Sequence, residues 1–337
     1  MQIGGGAWVT VQSMTNTDTR DVPATLAQIR ALAEAGADIV RISVYDAACA
    51  QAVRELVEKS PVPLVADIHF DHRLAICAVE NGIQKVRINP GNIGGEKNVR
   101  ALADCLKAHG VPVRIGVNGG SLEKEILNKY GGVTPAGLVE SGLNHARMLE
   151  RVGFEDIVLS FKASTVPMTV EACRLAAHRT EYPQHIGVTE AGTYADGIVK
   201  SSMGIGALLL DGIGDTIRVS LTGDPVREIE AGLSILRAAG LRRDYVEVVS
   251  CPTCGRTAIC VEEIASRVRE ATKDIRKPIK VAVMGCVVNG PGEAREADLG
   301  IAGGKDGGAL FIKGQPPRTV RGDLAQILID EIRRIVS

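Results

Sequence analysis

Short apolar runs recur along the first two thirds of the chain, and each ends in polar residues that lead into a stretch of helical periodicity. Runs of this kind, rich in Val and Ile, predict buried parallel strands. We expect eight strands, at Val9–Met14, Asp38–Val44, Leu64–Phe70, Lys85–Pro90, Val113–Asn118, Asp156–Lys162, Ile186–Glu190 and Ile217–Leu221.

The stretches between these strands place apolar residues at helical spacing, and glycine stands where several of the helices end. Eight strands that alternate with helices over about 240 residues are typical of a (β/α)8 TIM barrel. A doubly wound open sheet is the rival fold, but the first strand leads into Thr15-Asn16-Thr17 rather than into a glycine-rich turn. The clearest predicted helices are Ala24–Ala35, Ala47–Glu58, Val139–Val152 and Val226–Ala239.

The pattern changes after Gly240. Two further strands, two helices and a glycine-rich patch predict a small α+β domain. We therefore divide the chain into a substrate-binding barrel at residues 1–240 and a second domain at residues 241–337. The predicted elements of the second domain are Tyr245–Val249, Val261–Thr272, Ile279–Val283 and Asp323–Val336.

Composition narrows the classes of function. The chain has 39 Lys and Arg against 40 Asp and Glu, so bulk charge does not indicate a nucleic-acid or membrane partner. We see no apolar run long enough to span a membrane and no signal peptide, and expect a cytoplasmic protein. Its eight cysteines are then thiols or metal ligands. Four of them lie in helical stretches and are expected to be small buried side chains: Cys49, Cys77, Cys105 and Cys173.

Three cysteines of the second domain stand at metal-ligand spacing. Cys251 and Cys254 form a Cys-x2-Cys pair, Cys286 follows, and a tight Gly/Pro turn leads to Glu293. Thiolates at this spacing bind zinc or an iron–sulfur cluster. A zinc ribbon needs a fourth Cys or His, and the nearest other thiol, Cys260, lies at the edge of a predicted helix. An oxygen ligand from Glu293 suits iron with a labile position, which favours iron over structural zinc.

Basic residues lie at the ends of several predicted strands. In a barrel these ends face the active-site mouth, so the cations converge and repel one another unless an anion joins them. Neighbouring acids are too few to neutralise the set. We expect a substrate with several negative charges, most simply a diphosphate, held by Arg41, Arg87, Arg114 and Lys162.

Glu190 is expected at the same mouth, where a carboxylate serves as proton donor, metal ligand or hydroxyl partner. His69 and His72 are compatible with a metal pair or with two solvated side chains, and the sequence leaves both open. The remaining histidines are placed on helices or helix ends and given no role: His109, His145, His178 and His185.

The connection between the domains predicts an assembly. The last barrel helix returns the chain to the face opposite the mouth, roughly 20 Å away across strands of about six residues. A linker of about four residues, Leu241–Asp244, spans at most about 14 Å. The second domain therefore does not reach its own barrel mouth, and we expect a head-to-tail homodimer in which it caps the partner's barrel.

Seven segments resemble 4-hydroxy-3-methylbut-2-enyl diphosphate synthases. The resemblance runs through essentially the whole chain, and the last two segments are highly specific. The segments are Gln12–Thr17, Ala35–Arg41, Ala66–Phe70, Arg87–Asn92, Val188–Gly192, Ser250–Cys254 and Gly285–Glu293.

The resemblance implies a reaction, a cofactor and partners. The reaction is the reductive ring opening and dehydration of 2-C-methyl-D-erythritol 2,4-cyclodiphosphate in the methylerythritol phosphate route to isoprenoids, with electrons from reduced flavodoxin or ferredoxin. The cofactor is a four-iron, four-sulfur (4Fe-4S) cluster held by Cys251, Cys254, Cys286 and Glu293. The resemblance also implies a homodimer, Glu190 as the essential acid, and substrate contacts at Arg41, Arg87, Arg114, Asn118, Lys162 and Ser220.

Two other classes stay open at this point. One is a transferase barrel resembling dihydropteroate synthase with a structural zinc tail, and the other is a zinc-ribbon binding module fused to an inactive barrel. The resemblance further implies an additional N-terminal stretch before the turn at Ile3–Gly6, so we expect an incompletely covered barrel floor.

Overall fold

The structure is a computed structural model that describes residues 1–89, 92–286 and 296–337. These residues form two compact units, Met1–Leu241 and Arg242–Ser337. None of the helices in these ranges is both long enough and apolar enough to cross a membrane.

The first unit is a barrel of eight parallel strands. The sheet runs in the order β6-β5-β4-β3-β2-β1-β8-β7, and one isolated bridge between Leu159 and Gln184 brings β6 and β7 together, so the barrel is nearly closed. The strands are β1 Thr10–Met14, β2 Ile39–Ser43, β3 Leu64–Asp67, β4 Lys85–Ile88, β5 Val113–Asn118, β6 Ile157–Lys162, β7 His185–Ile186 and β8 Thr216–Ile217.

Helices surround this sheet and cover it with an aliphatic core. Side-chain oxygens of Asp21, Asp46 and Thr134 accept hydrogen bonds from free backbone N–H groups and thereby fix the starts of α1, α2 and α6. The helices are α1 Val22–Glu34, α2 Ala47–Lys59, α3 His72–Glu80, α4 Glu96–His109, α5 Lys124–Tyr130, α6 Pro135–Glu150, α7 Val166–Ala177, α8 Tyr194–Leu210 and α9 Val226–Ala238.

Helix α6 packs closely on β6 because Gly142 has no side chain. A Cβ atom at this position would lie 2.5 Å from Cε1 of Phe161. Phe161 is fully buried, and it directly precedes Lys162, the final residue of β6. The close approach of helix and strand therefore sets the position of one side chain of the site described below.

The fold class predicted from the sequence, a TIM barrel followed by a small α+β domain, is confirmed. Several strands are shorter than expected, because their polar ends leave the sheet. Strand β3 ends at Asp67 rather than Phe70, and β7 covers only His185–Ile186. The placement of His185 on a helix end was wrong, since this residue lies in a strand.

The second unit contains a five-stranded sheet in the order β13-β12-β11-β10-β9. Strands β9 to β11 are parallel, and β12 and β13 add antiparallel pairs at one edge. Buried aliphatic residues of two helices and the sheet form its core. The elements are β9 Val246–Ser250, α10 Val261–Ala271, β10 Ile279–Met284, β11 Leu299–Gly304, β12 Gly307–Ile312, β13 Arg318–Val320 and α11 Leu324–Val336.

Candidate active site

A cavity of about 210 Å³ opens among the carboxyl ends of the barrel strands. All six residues predicted to contact substrate line it, and six further residues complete the wall. The predicted residues are Arg41, Arg87, Arg114, Asn118, Lys162 and Ser220; the additional ones are Asp67, His69, Gly116, Ser160, Thr189 and Arg218.

Strand register brings these side chains to the same levels of the barrel. Asp67, Arg87 and Arg114 are direct neighbours across β3, β4 and β5. Four residues further toward the mouth, Asn118 of β5 lies beside Lys162 of β6. Arg114 is the second residue of β5 and not at its end, as the sequence had suggested, so its guanidinium lines the deep part of the cavity.

Two glycines provide the space that the cations fill. A Cβ at Gly116 would lie 2.5 Å from Nε of Arg87, and a Cβ at Gly187 would lie 2.3 Å from the carbonyl oxygen of Arg218 and 3.1 Å from Nζ of Lys162. The backbone contact excludes a side chain at Gly187, and a side chain at Gly116 would displace the guanidinium of Arg87. The absence of these two side chains lets large basic groups fit inside a small barrel.

Asp67 is the carboxylate at the centre of the cations. Its oxygens lie 3.1 Å from Nη1 of Arg87, 3.8 Å from Nε of Arg41 and 3.4 Å from Nε2 of His69. Burial by itself raises the pKa of Asp67, but Arg41, His69 and Arg87 outweigh burial and hold that pKa well below its usual range. Asp67 is therefore ionised and orders two arginines beneath the mouth.

Glu228 is a second buried carboxylate, and the sequence analysis missed it. It lies in the first turn of α9, 3.4 Å from Nε of Arg218, and accepts hydrogen bonds from Ser13 Oγ at 2.7 Å and from the backbone N–H of Leu221 at 3.0 Å. It joins β1, the segment after β8 and a cavity-lining arginine. The sequence signal that could have identified Glu228 is an acidic residue on the inner face of an amphipathic helix. This helix follows a strand whose end carries a basic residue.

The cations outnumber the acids that pair with them. Burial, followed by repulsion from neighbouring arginines, lowers the pKa of Lys162 and of Arg114 well below their usual values. Burial also lowers the pKa of Arg41 to about 10. These lowered pKa values mean that the surroundings of the cavity disfavour a further positive charge. A bound anion relieves this repulsion, which favours a ligand with several negative charges.

Glu190 does not line this cavity. It lies at a neighbouring one of about 530 Å³, whose wall includes Asn118 and Thr189, two residues that also line the first cavity. Glu190 has a φ of 52°, in the left-handed region that a non-glycine residue rarely occupies. Backbone strain of this kind persists where the surroundings fix it, and it often marks functional residues.

His69 is half exposed and both of its ring nitrogens lie 3.3 Å from Nη1 of Arg87. It belongs to the wall of the first cavity rather than to a pair with His72. In residues 1–89, 92–286 and 296–337, no three His, Cys, Asp or Glu side chains gather closely enough to hold a metal ion.

The cysteines of the second unit follow two neighbouring parallel strands. Cys251 comes directly after β9 and Cys286 two residues after β10, so both lie at one edge of the sheet. The Cys251 sulfur accepts a hydrogen bond from the backbone N–H of Gly285 at 3.2 Å. Cys254 is exposed, and hydrogen bonds from the backbone and side chain of Arg256 lower its pKa. Glu293, the predicted fourth ligand, lies outside the described residues.

This donor set fits an iron–sulfur cluster chemically. Three thiols, one with a lowered pKa and one accepting an N–H hydrogen bond, are the groups that bind and tune such clusters. Of the other cysteines, Cys49 and Cys173 are buried as expected, whereas Cys77 and Cys105 are half exposed.

The fold and cavity define an α/β-barrel enzyme that binds a small, multiply charged anion. Two family models match the chain, the GcpE TIM-barrel domain over residues 1–233 and the GcpE protein C-terminal domain over residues 247–334. The chain therefore belongs to the GcpE family, which confirms the resemblance found in the sequence.

Similar proteins agree with this membership. A relative from Caldanaerobacter subterraneus subsp. tengcongensis is 57% identical over 337 residues, 100% of this chain and 95% of the relative. A relative from Clostridium perfringens is 54% identical over 335 residues, 99% of this chain and 95% of the relative. Both are named 4-hydroxy-3-methylbut-2-en-1-yl diphosphate synthase (flavodoxin).

One solved structure of low identity shares the fold over part of the chain. The N-acetylneuraminic acid synthetase of Leptospira borgpetersenii serovar Hardjo-bovis has a TM-score of 0.50 at 13% identity, over 71% of this chain and 88% of that one. Since full-length relatives of high identity carry the synthase name, the alternative of a transferase barrel with a zinc tail is not favoured.

Replacement of Asp67 by Asn tests the central carboxylate. Loss of one partner of a buried ion pair leaves charges unpaired, so the free energy of unfolding should fall by about 3 kcal/mol at pH 7. Asp71→Asn is the control, because Asp71 pairs with the exposed Arg73 and should cost less than about 1 kcal/mol. Urea denaturation of the three proteins measures both values.

The pH dependence follows from the lowered pKa of Asp67. Its stabilisation is fully present above the ordinary carboxyl pKa of about 4 and is lost as the pH falls below it, so wild type and Asp67→Asn should converge in acid. Equal losses in Asp67→Asn and Asp71→Asn at pH 7 would contradict the role given to Asp67.

Proposed function

We propose that the cavity of about 210 Å³ binds the diphosphate of 2-C-methyl-D-erythritol 2,4-cyclodiphosphate and that the chain converts this substrate to 4-hydroxy-3-methylbut-2-enyl diphosphate. Family membership confirms the enzyme and the reaction expected from the sequence. The reaction consumes two electrons and releases water. The observation that carries the assignment of the site is the convergence of five cations on one cavity whose paired acids are Asp67 and Glu228.

The cations have two tasks in this proposal. Arg41, Arg87, Arg114 and Lys162 bind the two phosphates, and Asn118 and Ser220 complete the contacts as neutral partners. When the ring opens, a phosphate oxygen leaves carbon and gains negative charge. Fixed cations stabilise this charge without reorganisation, since Asp67 and Glu228 already orient Arg87 and Arg218.

Glu190 is proposed to act on the carbon skeleton rather than on the phosphates. It lies at the larger neighbouring cavity, next to Asn118 and Thr189, and so adjoins the diphosphate site without facing its cations. A carboxylate there holds the hydroxyl group that departs as water, as proton donor or hydrogen-bond partner.

The second domain, residues 241–337, is proposed to hold the 4Fe-4S cluster. Its ligands are Cys251, Cys254 and Cys286, together with Glu293. When bound, the cluster supplies the electrons for the reductive step. The N–H of Gly285 and the groups of Arg256 stabilise thiolates at this edge of the sheet.

The proposed partners are a reduced flavodoxin or ferredoxin and a second copy of the chain. The names of the relatives support flavodoxin. The short connection after the barrel supports a head-to-tail homodimer, in which each cluster domain caps the barrel of the other chain. We propose a cytoplasmic setting for this electron transfer.

Lys162→Met tests the proposed substrate site. The variant removes one buried cation without leaving an unpaired acid, so it should fold, while kcat/KM should fall by about a hundredfold as one charge-assisted contact is lost from the transition state. Product is measured anaerobically with reduced flavodoxin. Lys129→Met is the control, because Lys129 lies on the surface and pairs with Glu140. Unchanged kcat/KM in Lys162→Met would contradict the proposed site.

Cys286→Ser tests the cluster ligands. A serine oxygen is a poor substitute for a thiolate, so anaerobically purified protein should lose its iron and its absorbance near 400 nm. Cys105→Ser removes a half-exposed cysteine of the barrel and should keep both. Glu293→Ala should retain a weakened cluster. Full iron content in Cys286→Ser would refute this ligand assignment.

Mixing inactive variants tests the shared active site. A Glu190→Gln chain and a Cys251→Ser chain are each expected to be inactive alone. In a head-to-tail heterodimer, one barrel with Glu190 meets one intact cluster domain, so about half of the mixed dimers' sites can act. Recovered activity after subunit exchange is the expected result; none, with heterodimers shown by mass spectrometry, contradicts this arrangement.

A further inference from the structure

Beneath Lys162 lies a histidine to which the proposed function gives no task. His185 is in β7 and is 1% exposed. Its Nε2 is 3.4 Å from Nζ of Lys162, and its Nδ1 is 3.3 Å from Oγ1 of Thr216. Thr216 is also buried and is the direct cross-strand neighbour of His185 in β8. The imidazole therefore lies between a fixed hydroxyl and an ammonium group.

Four basic side chains surround the ring and disfavour its protonation. Burial, followed by Arg114, Lys162, Lys85 and Arg41, lowers the pKa of His185 well below its ordinary value. A neutral imidazole has one N–H donor and one acceptor nitrogen, and an ammonium group only donates. Nε2 consequently accepts from Lys162, and Nδ1–H donates to Thr216.

The inner face of β7 is shaped around this contact. His185 is followed two residues later by Gly187, where a Cβ would lie 3.1 Å from Nζ of Lys162. This segment thus places the His185 acceptor below the ammonium group of Lys162 and leaves space beside that group at Gly187. This arrangement holds the ammonium group without covering it.

We propose that His185 is a positioning residue for Lys162: its unprotonated Nε2, fixed by Thr216, accepts one ammonium hydrogen and directs the others at the bound diphosphate. The inference rests on the proposed function of the cavity. A carboxylate in the place of His185 would also orient Lys162, but it would cancel the charge that binds phosphate. A neutral ring supplies the hydrogen bond and leaves the charge available.

Three replacements of His185 separate orientation from structure. Gln carries an acceptor oxygen at about the reach of Nε2, Leu carries none, and Asn is too short to reach Lys162. Binding of inorganic pyrophosphate and of the cyclodiphosphate to the cluster-loaded enzyme is measured by calorimetry. We expect His185→Gln to bind within about threefold of wild type and His185→Leu about tenfold more weakly.

A double-mutant cycle tests whether His185 acts through Lys162. If His185 acts through Lys162, His185→Leu should weaken binding no further in a Lys162→Met background. Independent, additive losses would overturn the proposal, as would wild-type binding by His185→Leu. If circular dichroism shows that His185→Leu does not fold, His185→Gln and His185→Asn are compared instead. Gln close to wild type with Asn weak supports the proposal, and equal behaviour of the two overturns it.

The two probes distinguish this inference from the proposed function. If the wild-type protein binds pyrophosphate but neither binds nor converts the cyclodiphosphate, the substrate assignment fails and the pyrophosphate series still tests His185. If wild type converts the substrate and the His185 series shows no coupling to Lys162, only the positioning role fails.

Discussion

The site depends on keeping cations together inside a small barrel without neutralising them. Arg41, Arg87, Arg114, Lys162 and Arg218 line one cavity, and the carboxylates in contact with them are those of Asp67 and Glu228. Burial, followed by repulsion between like charges, lowers the pKa of Lys162 and of Arg114. The fold tolerates this repulsion because its aliphatic core and the pairing of its strands stabilise the barrel around the cavity. Under the proposed function a bound diphosphate would relieve this repulsion, so part of its affinity would come from the arrangement of the cations.

Three kinds of neighbour make the arrangement possible. Acids at Asp67 and Glu228 orient two arginines, neutral groups such as His185 and Gln12 accept hydrogen bonds from Lys162 and Arg114, and the glycines at 116 and 187 leave space for the basic groups. Full pairing of every cation with an acid would have given a more stable but inert barrel interior. This mixture of charged side chains, neutral acceptors and glycines keeps the cavity positive.

Much of this could be predicted from the sequence, because parallel strands expose their carboxyl ends at one face. That rule brought Arg41, Arg87, Arg114 and Lys162 to one mouth from their positions alone, and the family resemblance added Asn118 and Ser220. The rule failed for residues that do not lie at strand ends. Glu228 lies on a helix, and its contact with Ser13 joins residues distant in the chain. The strand predicted here began at Ile186, one residue after His185, so His185 was placed on a helix end and missed. Glu190 follows that strand but belongs to a neighbouring cavity, a distinction that depends on loop conformation rather than on pattern.

The junction of β6 and β7 has a further consequence. The ladder there is reduced to the bridge between Leu159 and Gln184, whereas β5 and β6 pair along six residues. Lys162 and His185 stand on opposite sides of this seam and touch across it. An anion bound by Lys162 on one side and by Arg218 on the other would link the two sides of the weakest part of the barrel wall. Ligand binding would then stiffen the barrel at this junction.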